Sequence, residues 1–338
     1  MTIAIYGANG HTGRLVAAEL LARDQDIVLA GRNSEALRAL AAELDSPRVS
    51  VHPAELDDAG ALRELAAGSA ALIHCAGPFT RTCEPLARAA VAGGCHYIDH
   101  AIEPKPVKWL FDTMQGPAQQ AGVVMIPQLS FYGGLADLLA AAAASGLPAV
   151  DRVTIGYSIS GWRMTPAAVR TAELLIGEID RVTYTGGALR VGPVDIRNTV
   201  YPFPPPVGPR SMIAPFPSGE MVTIPRHVPA RTVESQLTAS TFEEEQVFTS
   251  QEASPEERAR TTFMVAAQVV AEGGGGRTAH LRGRDIWWVG ALASADAAVR
   301  LVGGDGPGKS GVLSTAEAFE AEPFLRRLAA QGAFELSL

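Results

Sequence analysis

Thr2-Ile-Ala-Ile-Tyr6 runs straight into Gly7-Ala8-Asn9-Gly10-His11-Thr12-Gly13, and Arg14-Leu-Val-Ala-Ala-Glu-Leu-Leu-Ala-Arg23 follows. The opening run reads as a buried strand, and the residues after Gly13 place their apolar side chains at helical spacing. Glycines at such a bend let backbone approach a pyrophosphate closely. The helix start turns unpaired N–H groups and a positive dipole end toward it. The stretch predicts a dinucleotide cradle built from Gly7, Asn9, Gly10, His11, Thr12 and Gly13. A tight strand-to-helix turn that binds nothing is the alternative.

Working outward, strand and helix signals alternate through the first 126 residues. Asp26–Ala30, Arg48–Val51, Ala70–Cys75, His96–Asp99 and Gly122–Ile126 read as strands. Ser34–Leu44, Asp57–Ala67, Glu84–Ala92 and Glu103–Gln120 read as helices. This βαβ alternation predicts an α/β Rossmann-type doubly wound parallel sheet. After Pro127 the pattern changes. An alanine-rich helix over Gly134–Ala144 and a strand over Arg152–Ser158 precede a helix opened by Thr165-Pro166. Glycine- and proline-separated strand pieces then extend to Ala239. Ser254-Pro-Glu-Glu257 has the form of a capping box and predicts a helix running to about Ala271. Ile286–Val302 and Ser314–Gln331 are late helices. The expected organisation is a dinucleotide-binding domain over 1–127 and a second, α+β domain over 128–285 with a mostly antiparallel sheet. C-terminal helices over 286–338 are expected to pack back on the first domain.

Composition narrows the function classes. A chain of 338 residues exceeds the roughly 250–300 at which single cores stop growing, which suits two domains. The net charge of −8 argues against nonspecific nucleic-acid binding. No run approaches the roughly 18 uninterrupted apolar residues of a membrane helix, Asp137 breaking the longest. The N-terminus shows no signal-peptide pattern. Cys75, Cys83 and Cys95 have neither even number nor metal spacing, so reduced thiols in a cytoplasmic setting are expected, with no metal. Tyr201-Pro-Phe-Pro-Pro-Pro206 reads as a rigid loop over a cleft, or as a plain crossing between strands.

Cofactor type is read at the end of the second strand, in Ala30-Gly31-Arg32-Asn33. An NAD site usually places a carboxylate there for the ribose 2′-hydroxyl. Arg32 and Asn33 instead suit a 2′-phosphate, which a guanidinium holds by charge-assisted bonds, so NADP(H) is preferred over NAD(H). Glu55 borders the adenine on this reading, while Asp57 reads as a cap of the next helix. The fourth strand leads into Cys75-Ala76-Gly77-Pro78. These small residues let a nicotinamide ribose lie against the strand end, where open α/β sheets bind ligands.

As a set, these residues resemble the saccharopine dehydrogenase-like oxidoreductases. The resemblance is carried by Gly7–Gly13, Ala30-Gly-Arg32, Gly77-Pro-Phe79 with Glu84-Pro85, and Ala89–Asp99 with Glu103. Phe216–Glu220, Ile224–His227 and the tail over 317–332 are also similar to segments of that family. The resemblance implies a reductase scaffold and an NAD(P) cofactor. Two departures, Cys83 and Ile102 where the family pattern has glycine, add bulk near the expected nicotinamide site and argue against saccharopine itself as substrate.

Chemistry then falls to a proton donor near the sheet's carboxyl edge, because the cofactor supplies the hydride. None of the six tyrosines has lysine four residues on, which excludes the Tyr-x-x-x-Lys mechanism. Candidates are His100 and Glu103 beyond the fifth strand, Tyr132 after the sixth, and His227. Arg226 and Arg163 are candidates to clamp a substrate carboxylate. Each of these has a structural alternative: a loop hydrogen bond, a helix start, a packed core ring or a surface ion pair. The expected function is an NADP(H)-dependent oxidoreductase acting on a C=O or C=N bond of a small metabolite, with the second domain closing over the nicotinamide by a hinge near Pro127. An enoyl reductase with a carrier-bound substrate and a non-catalytic NADP(H) sensor are the alternatives, and a homodimer stays open.

Overall fold

β1 (Thr2–Tyr6) forms the centre of the first sheet, with four of its five residues buried. We describe the protein from a computed structural model covering residues 1–243, 247 and 253–338. The chain then follows α1 (His11–Leu21), β2 (Asp26–Gly31), α2 (Ser34–Leu44), β3 (Val49–Pro53), α3 (Ala59–Ala67), β4 (Ala71–His74), α4 (Phe79–Gly93) and β5 (His96–Asp99). α5 (Pro104–Trp109) passes through a π-turn into α6 (Gln115–Ala121) and β6 (Val124–Ile126).

The chain divides into two units. The first comprises Met1–Ala101, Pro106–Ser130 and Trp287–Leu313; the second comprises Ile102–Lys105, Phe131–Ile286 and Ser314–Leu338. A short seventh strand, β15 (Gly311–Val312), pairs with β6, and the first sheet runs β15-β6-β5-β4-β1-β2-β3, all parallel. This is the doubly wound order expected from the sequence. Register aligns the strand ends: Tyr6 lies opposite Ala30 on one side and His74 on the other, and His74 lies opposite Asp99. Those four residues form one row at the carboxyl edge.

The second unit follows α7 (Gly134–Ala144), β7 (Val150–Ser160), α8 (Pro166–Gly177), β8 (Asp180–Thr185), β9 (Ala188–Pro193), β10 (Arg197–Pro202), β11 (Pro209–Ala214), α9 (Glu220–Thr223), β12 (Ala230–Thr238), α10 (Pro255–Arg260), β13 (Thr262–Ala271) and β14 (Gly276–Arg284). α11 (Ile286–Val302) returns to the first unit. α12 (Thr315–Ala318), α13 (Ala321–Ala330) and β16 (Phe334–Ser337) belong to the second. Its sheet runs β10-β11-β12-β7-β13-β14-β16, antiparallel except for β12 with β7, and the β8–β9 ribbon joins at β12. α7 packs on β13 and β14, and α12 and α13 pack on α7.

Three sequence expectations are corrected here, and a fourth is decided between its two readings. The capping box at Ser254 is present, yet α10 ends at Arg260 and Thr262–Ala271 is a strand. That run is nearly all apolar and buried, and periodicity cannot separate such a run from a helix. Pairing on both edges, with β7 and β14, decides it. Of the two readings of the proline-rich run, the crossing between strands is the one observed, from β10 to β11. Tyr201-Pro202 ends β10, Tyr201 Oη donates to the carbonyls of Thr154 and Ala266, and a Cβ on Gly156 would meet both Tyr201 and Phe203 at 2.9 Å. The cap of α3 is Asp58, whose Oδ1 accepts from Gly60 and Ala61 N–H, rather than Asp57. Finally, the segment over 314–338 clusters with the second unit because β16 pairs with β14.

Candidate functional site

The turn after β1 is tied to β2 by two bonds, from Gly7 N and Ala8 N to Ala30 O at 2.8 and 3.2 Å. Gly10 N closes back on Gly7 O at 3.0 Å. Gly7 has φ +83°, a conformation that suits glycine, and a Cβ there would stand 2.9 Å from the Ala76 Cβ. Gly13 is required by proximity instead: its Cβ would lie 2.3 Å from Gly7 O and 2.7 Å from Ala8 Cα. α1 therefore sits directly against the loop, and the first-turn N–H groups at residues 11–13 have no acceptor within their own helix. Gly10 caps α1 without a side-chain bond, and its first turn holds no acidic residue. Backbone donors, a positive dipole end and no carboxylate make a cradle that fits a diphosphate.

Along the carboxyl edge, Arg32 is exposed just past β2, and among the described residues it makes no ion pair. Its charge acts on Tyr6, together with those of Glu55 and Asp57. Burial pushes the Tyr6 hydroxyl up to about 12, Glu55 adding to this and Arg32 opposing it, and the hydroxyl donates to Ala54 O at 3.0 Å. Asn33 is the N-cap of α2, its Oδ1 accepting from Ala36 N. Arg14 donates to the carbonyl of Asn9 at 3.4 Å, and the His11 ring meets Trp287 edge-on at 5.4 Å. On the other flank, Cys75 N donates to Tyr6 O at 2.8 Å, and burial raises the Cys75 thiol far above its ordinary value. Ala76 backs on Gly7, and Pro78 is the N-cap of α4.

Of the expected proton-handling residues, His100 lies past β5 in the first unit, its Nε2 2.9 Å from Ser294 Oγ. Ser294 donates its own proton to Ala291 O, so His100 Nε2–H is the donor of that pair. Burial lowers its pKa to about 4, which leaves the ring neutral at neutral pH; it offers an acceptor at Nδ1 rather than an imidazolium acid. Asp99 is buried and accepts from Ala101 N and Gln128 N at 3.0 and 2.7 Å, and burial raises its pKa to about 6.

The second unit holds the other candidates. Glu103 is buried, with Ile102 N 3.3 Å from its Oε2. Tyr132 is partly exposed, and its ring lies 5.0 Å from both Phe131 and Tyr157 and 5.6 Å from Phe216. Beneath it, the buried Glu220 carboxylate accepts from Tyr157 Oη, Ser218 Oγ and Gly133 N. Burial and the Glu220 charge raise the Tyr132 hydroxyl, keeping it protonated. His227 Nε2 is 2.8 Å from Asp137 Oδ1, and Asp137 Oδ2 accepts from Ala316 N. Arg226 pairs with Glu317 at 2.8 Å and Arg163 with Glu257 at 3.1 Å. The structure thus brings together the cradle residues of the first unit, whereas Arg163, Arg226 and His227 each face a carboxylate of their own unit. His74, Thr82 and Glu220 escaped the sequence reading. A histidine ending the apolar strand Ala71-Leu-Ile-His was the one visible signal.

Among the described residues, no group of His, Cys, Asp and Glu could hold a metal ion, and no helix is long and apolar enough to cross a membrane.

Strand order, glycine cradle and edge geometry define a dinucleotide-binding domain of the Rossmann type. Residues 3–126 match the family model described as the saccharopine dehydrogenase NADP binding domain. Over this segment the chain is similar to the NADP-binding domain of that family. It is similar to a trans-acting enoyl reductase of Mycobacterium ulcerans, 36% identical over 141 residues, which cover 40% of this chain and 34% of that protein. It is also similar to a saccharopine dehydrogenase-like oxidoreductase of Mus musculus, 28% identical over 152 residues, covering 40% and 35%. The chain spans about a third of the length of these curated relatives. Among solved structures, apo saccharopine dehydrogenase (L-Glu forming) from Saccharomyces cerevisiae aligns with a TM-score of 0.67 at 12% identity. That alignment covers 99% of this chain and 98% of the other, a likeness of fold.

Proposed function

We propose that this chain is an NADP(H)-dependent oxidoreductase that transfers a hydride to or from a C=O or C=N bond of a small organic metabolite. The observation that carries the proposal is the cradle at Gly7–Gly13, closed so tightly that a Cβ at Gly13 would overlap backbone. The bound nicotinamide would supply or take up the hydride. The chain's own residues hold the diphosphate on the first-turn amides of α1 and the 2′-phosphate on Arg32. We assign to Tyr132, kept neutral by burial, the donation of a proton to substrate, and to His100 an acceptor role at Nδ1. Three cysteines without metal spacing favour a reducing, cytoplasmic setting.

The test is a pair of fluorescence titrations, NADPH against NADH, on the wild type and on Arg32→Ala. The wild type is expected to bind NADPH more tightly. Loss of a charge-assisted bond to the 2′-phosphate should weaken NADPH by about 10- to 150-fold and leave NADH nearly unchanged. Tighter NADH binding by the wild type, or a preference that survives the substitution, would refute the assignment of Arg32.

A second reading, an enoyl reductase with a carrier-bound substrate, is favoured by the similarity to the Mycobacterium ulcerans protein. NADPH oxidation across carbonyl, imine and enoyl-thioester panels separates the two. Saturable NADPH binding with no turnover on any panel points to a sensor instead. Ile176, Ile179 and Val200, 69%, 78% and 64% exposed, offer apolar surface for a homodimer, which sedimentation would reveal.

A further inference from the structure

We propose that His74 is a positioning residue for the nicotinamide end of the cofactor, holding the Ala76–Gly77 backbone in place against Gly7. The inference rests on the NADP(H) reading above and deepens it.

His74 ends β4 and is fully buried, in the row that also holds Tyr6 and Asp99. Its Nε2 lies 3.2 Å from Ala76 O. A carbonyl oxygen only accepts, so Nε2 carries the ring proton and donates it. Nδ1 then keeps its lone pair and accepts from Tyr97 Oη at 2.9 Å. Cys83 Sγ lies 3.7 Å from that same oxygen, and the Tyr97 hydroxyl also acts on Asp99. Burial lowers the pKa of His74 to about 3, which keeps a single proton on the ring, and the Ala76 carbonyl holds that proton on Nε2.

Ala76 O receives a second donor, Thr82 Oγ1 at 2.7 Å, and that hydroxyl lies 3.2 Å from Pro78 O. Two donors on one carbonyl fix the orientation of the peptide joining Ala76 to Gly77. The opposite side of Ala76 faces the cradle, where a Cβ on Gly7 would fall 2.9 Å from its Cβ and 3.0 Å from its N. Ala76 is therefore clamped between Gly7 and the His74–Thr82 pair. An apolar residue would serve a packing role at the end of Ala71-Leu-Ile with no desolvation cost. A buried imidazole using both nitrogens is tolerated here because it orients a peptide.

The experiment compares NADPH with 2′,5′-ADP, which carries only the adenosine end, on the wild type, His74→Asn and His74→Gln. An asparagine amide reaches the Nδ1 position and loses the bond to Ala76, whereas a glutamine amide reaches the Nε2 position and keeps it. His74→Asn is expected to weaken NADPH about tenfold while 2′,5′-ADP affinity stays within about twofold, and His74→Gln to restore most of the loss. If His74→Asn does not fold, Thr82→Val removes the other donor and is expected to show the same split. Equal weakening of both ligands, unchanged NADPH binding, or glutamine as poor as asparagine would overturn the proposal. A wild type that binds neither ligand would overturn the cofactor reading instead.

Discussion

Replacing Gly13 by alanine adds one methyl group and tests the cradle most directly. The new Cβ would lie 2.3 Å from Gly7 O, 2.7 Å from Ala8 Cα and 2.9 Å from Ala8 C, all backbone atoms that no rotamer change can move. Reaching an ordinary contact of 3.4 Å at Gly7 O requires α1 to withdraw by about 1 Å from the loop after β1. Overpacking of that kind costs about 1–3 kcal/mol of stability. The larger effect is on the ligand, because the first-turn amides would be displaced from the loop against which the proposed diphosphate sits. Loss of even one charge-assisted bond costs about 1.5–3 kcal/mol, or roughly 10- to 150-fold in Kd. Calorimetric titration with NADPH, beside thermal melts, measures both terms. Gly116→Ala is the control: beyond its chain neighbours a Cβ there meets nothing within 4 Å, and the site lies in α6 away from the cradle, so this substitution should leave binding alone. If Gly13→Ala binds NADPH within threefold of the wild type, the first-turn amides of α1 do not carry the diphosphate.

Two further outcomes follow from the second unit. Tyr132→Phe should lower turnover by about 10²–10⁴ on the best substrate of a carbonyl and imine panel, with NADPH affinity kept; a rate within twofold of wild type removes Tyr132 from proton transfer. The Asp137–His227 pair is nearly enclosed, its side chains 1% and 12% exposed. Burial opposes the charge on His227, but Asp137 outweighs it and raises the pKa above 6.5; Asp137, also disfavoured by burial, is held below 3.8 by His227 and its hydrogen bonds. The His227 contribution is thus full below pH 6.5 and lost as pH rises through its raised value. The Asp137 contribution is present above pH 3.8 and lost as pH falls through its lowered value. Relative to wild type, His227→Gln should lose about 3–5 kcal/mol near pH 6, and the difference should shrink toward pH 9. Urea unfolding at both pH values checks this, and a difference that stays constant or grows at alkaline pH contradicts the ion pair.

The first sheet and its cradle were legible because they are local. An apolar strand, glycines at the bend and a helix lie within 23 consecutive residues, and the chemistry depends on backbone rather than on a distant partner. The place of Arg32 just past β2 was legible for the same reason, since it is set by the end of one strand. Where pairing decides, local reading fails. Thr262–Ala271 is apolar on both faces, so nothing within it distinguishes strand from helix, and its identity comes from β7, more than a hundred residues earlier. Asp137 was visible as an interruption of an alanine helix, yet its partner His227 lies 90 residues on, so the pair could not be read from either residue alone. His74 shows the limit most plainly. A polar residue ending a buried strand announces that something must satisfy it, but Tyr97, Ala76 and Thr82 belong to a strand, a turn and a helix that only the assembled sheet edge brings together. A buried imidazole has two nitrogens to satisfy, and which partners they find decides whether the ring packs, titrates or orients a peptide. Here one nitrogen donates to Ala76 O, and Ala76 in turn lies against Gly7, so the group that sequence reading overlooked stands behind a neighbour of the turn whose glycines it recognised first.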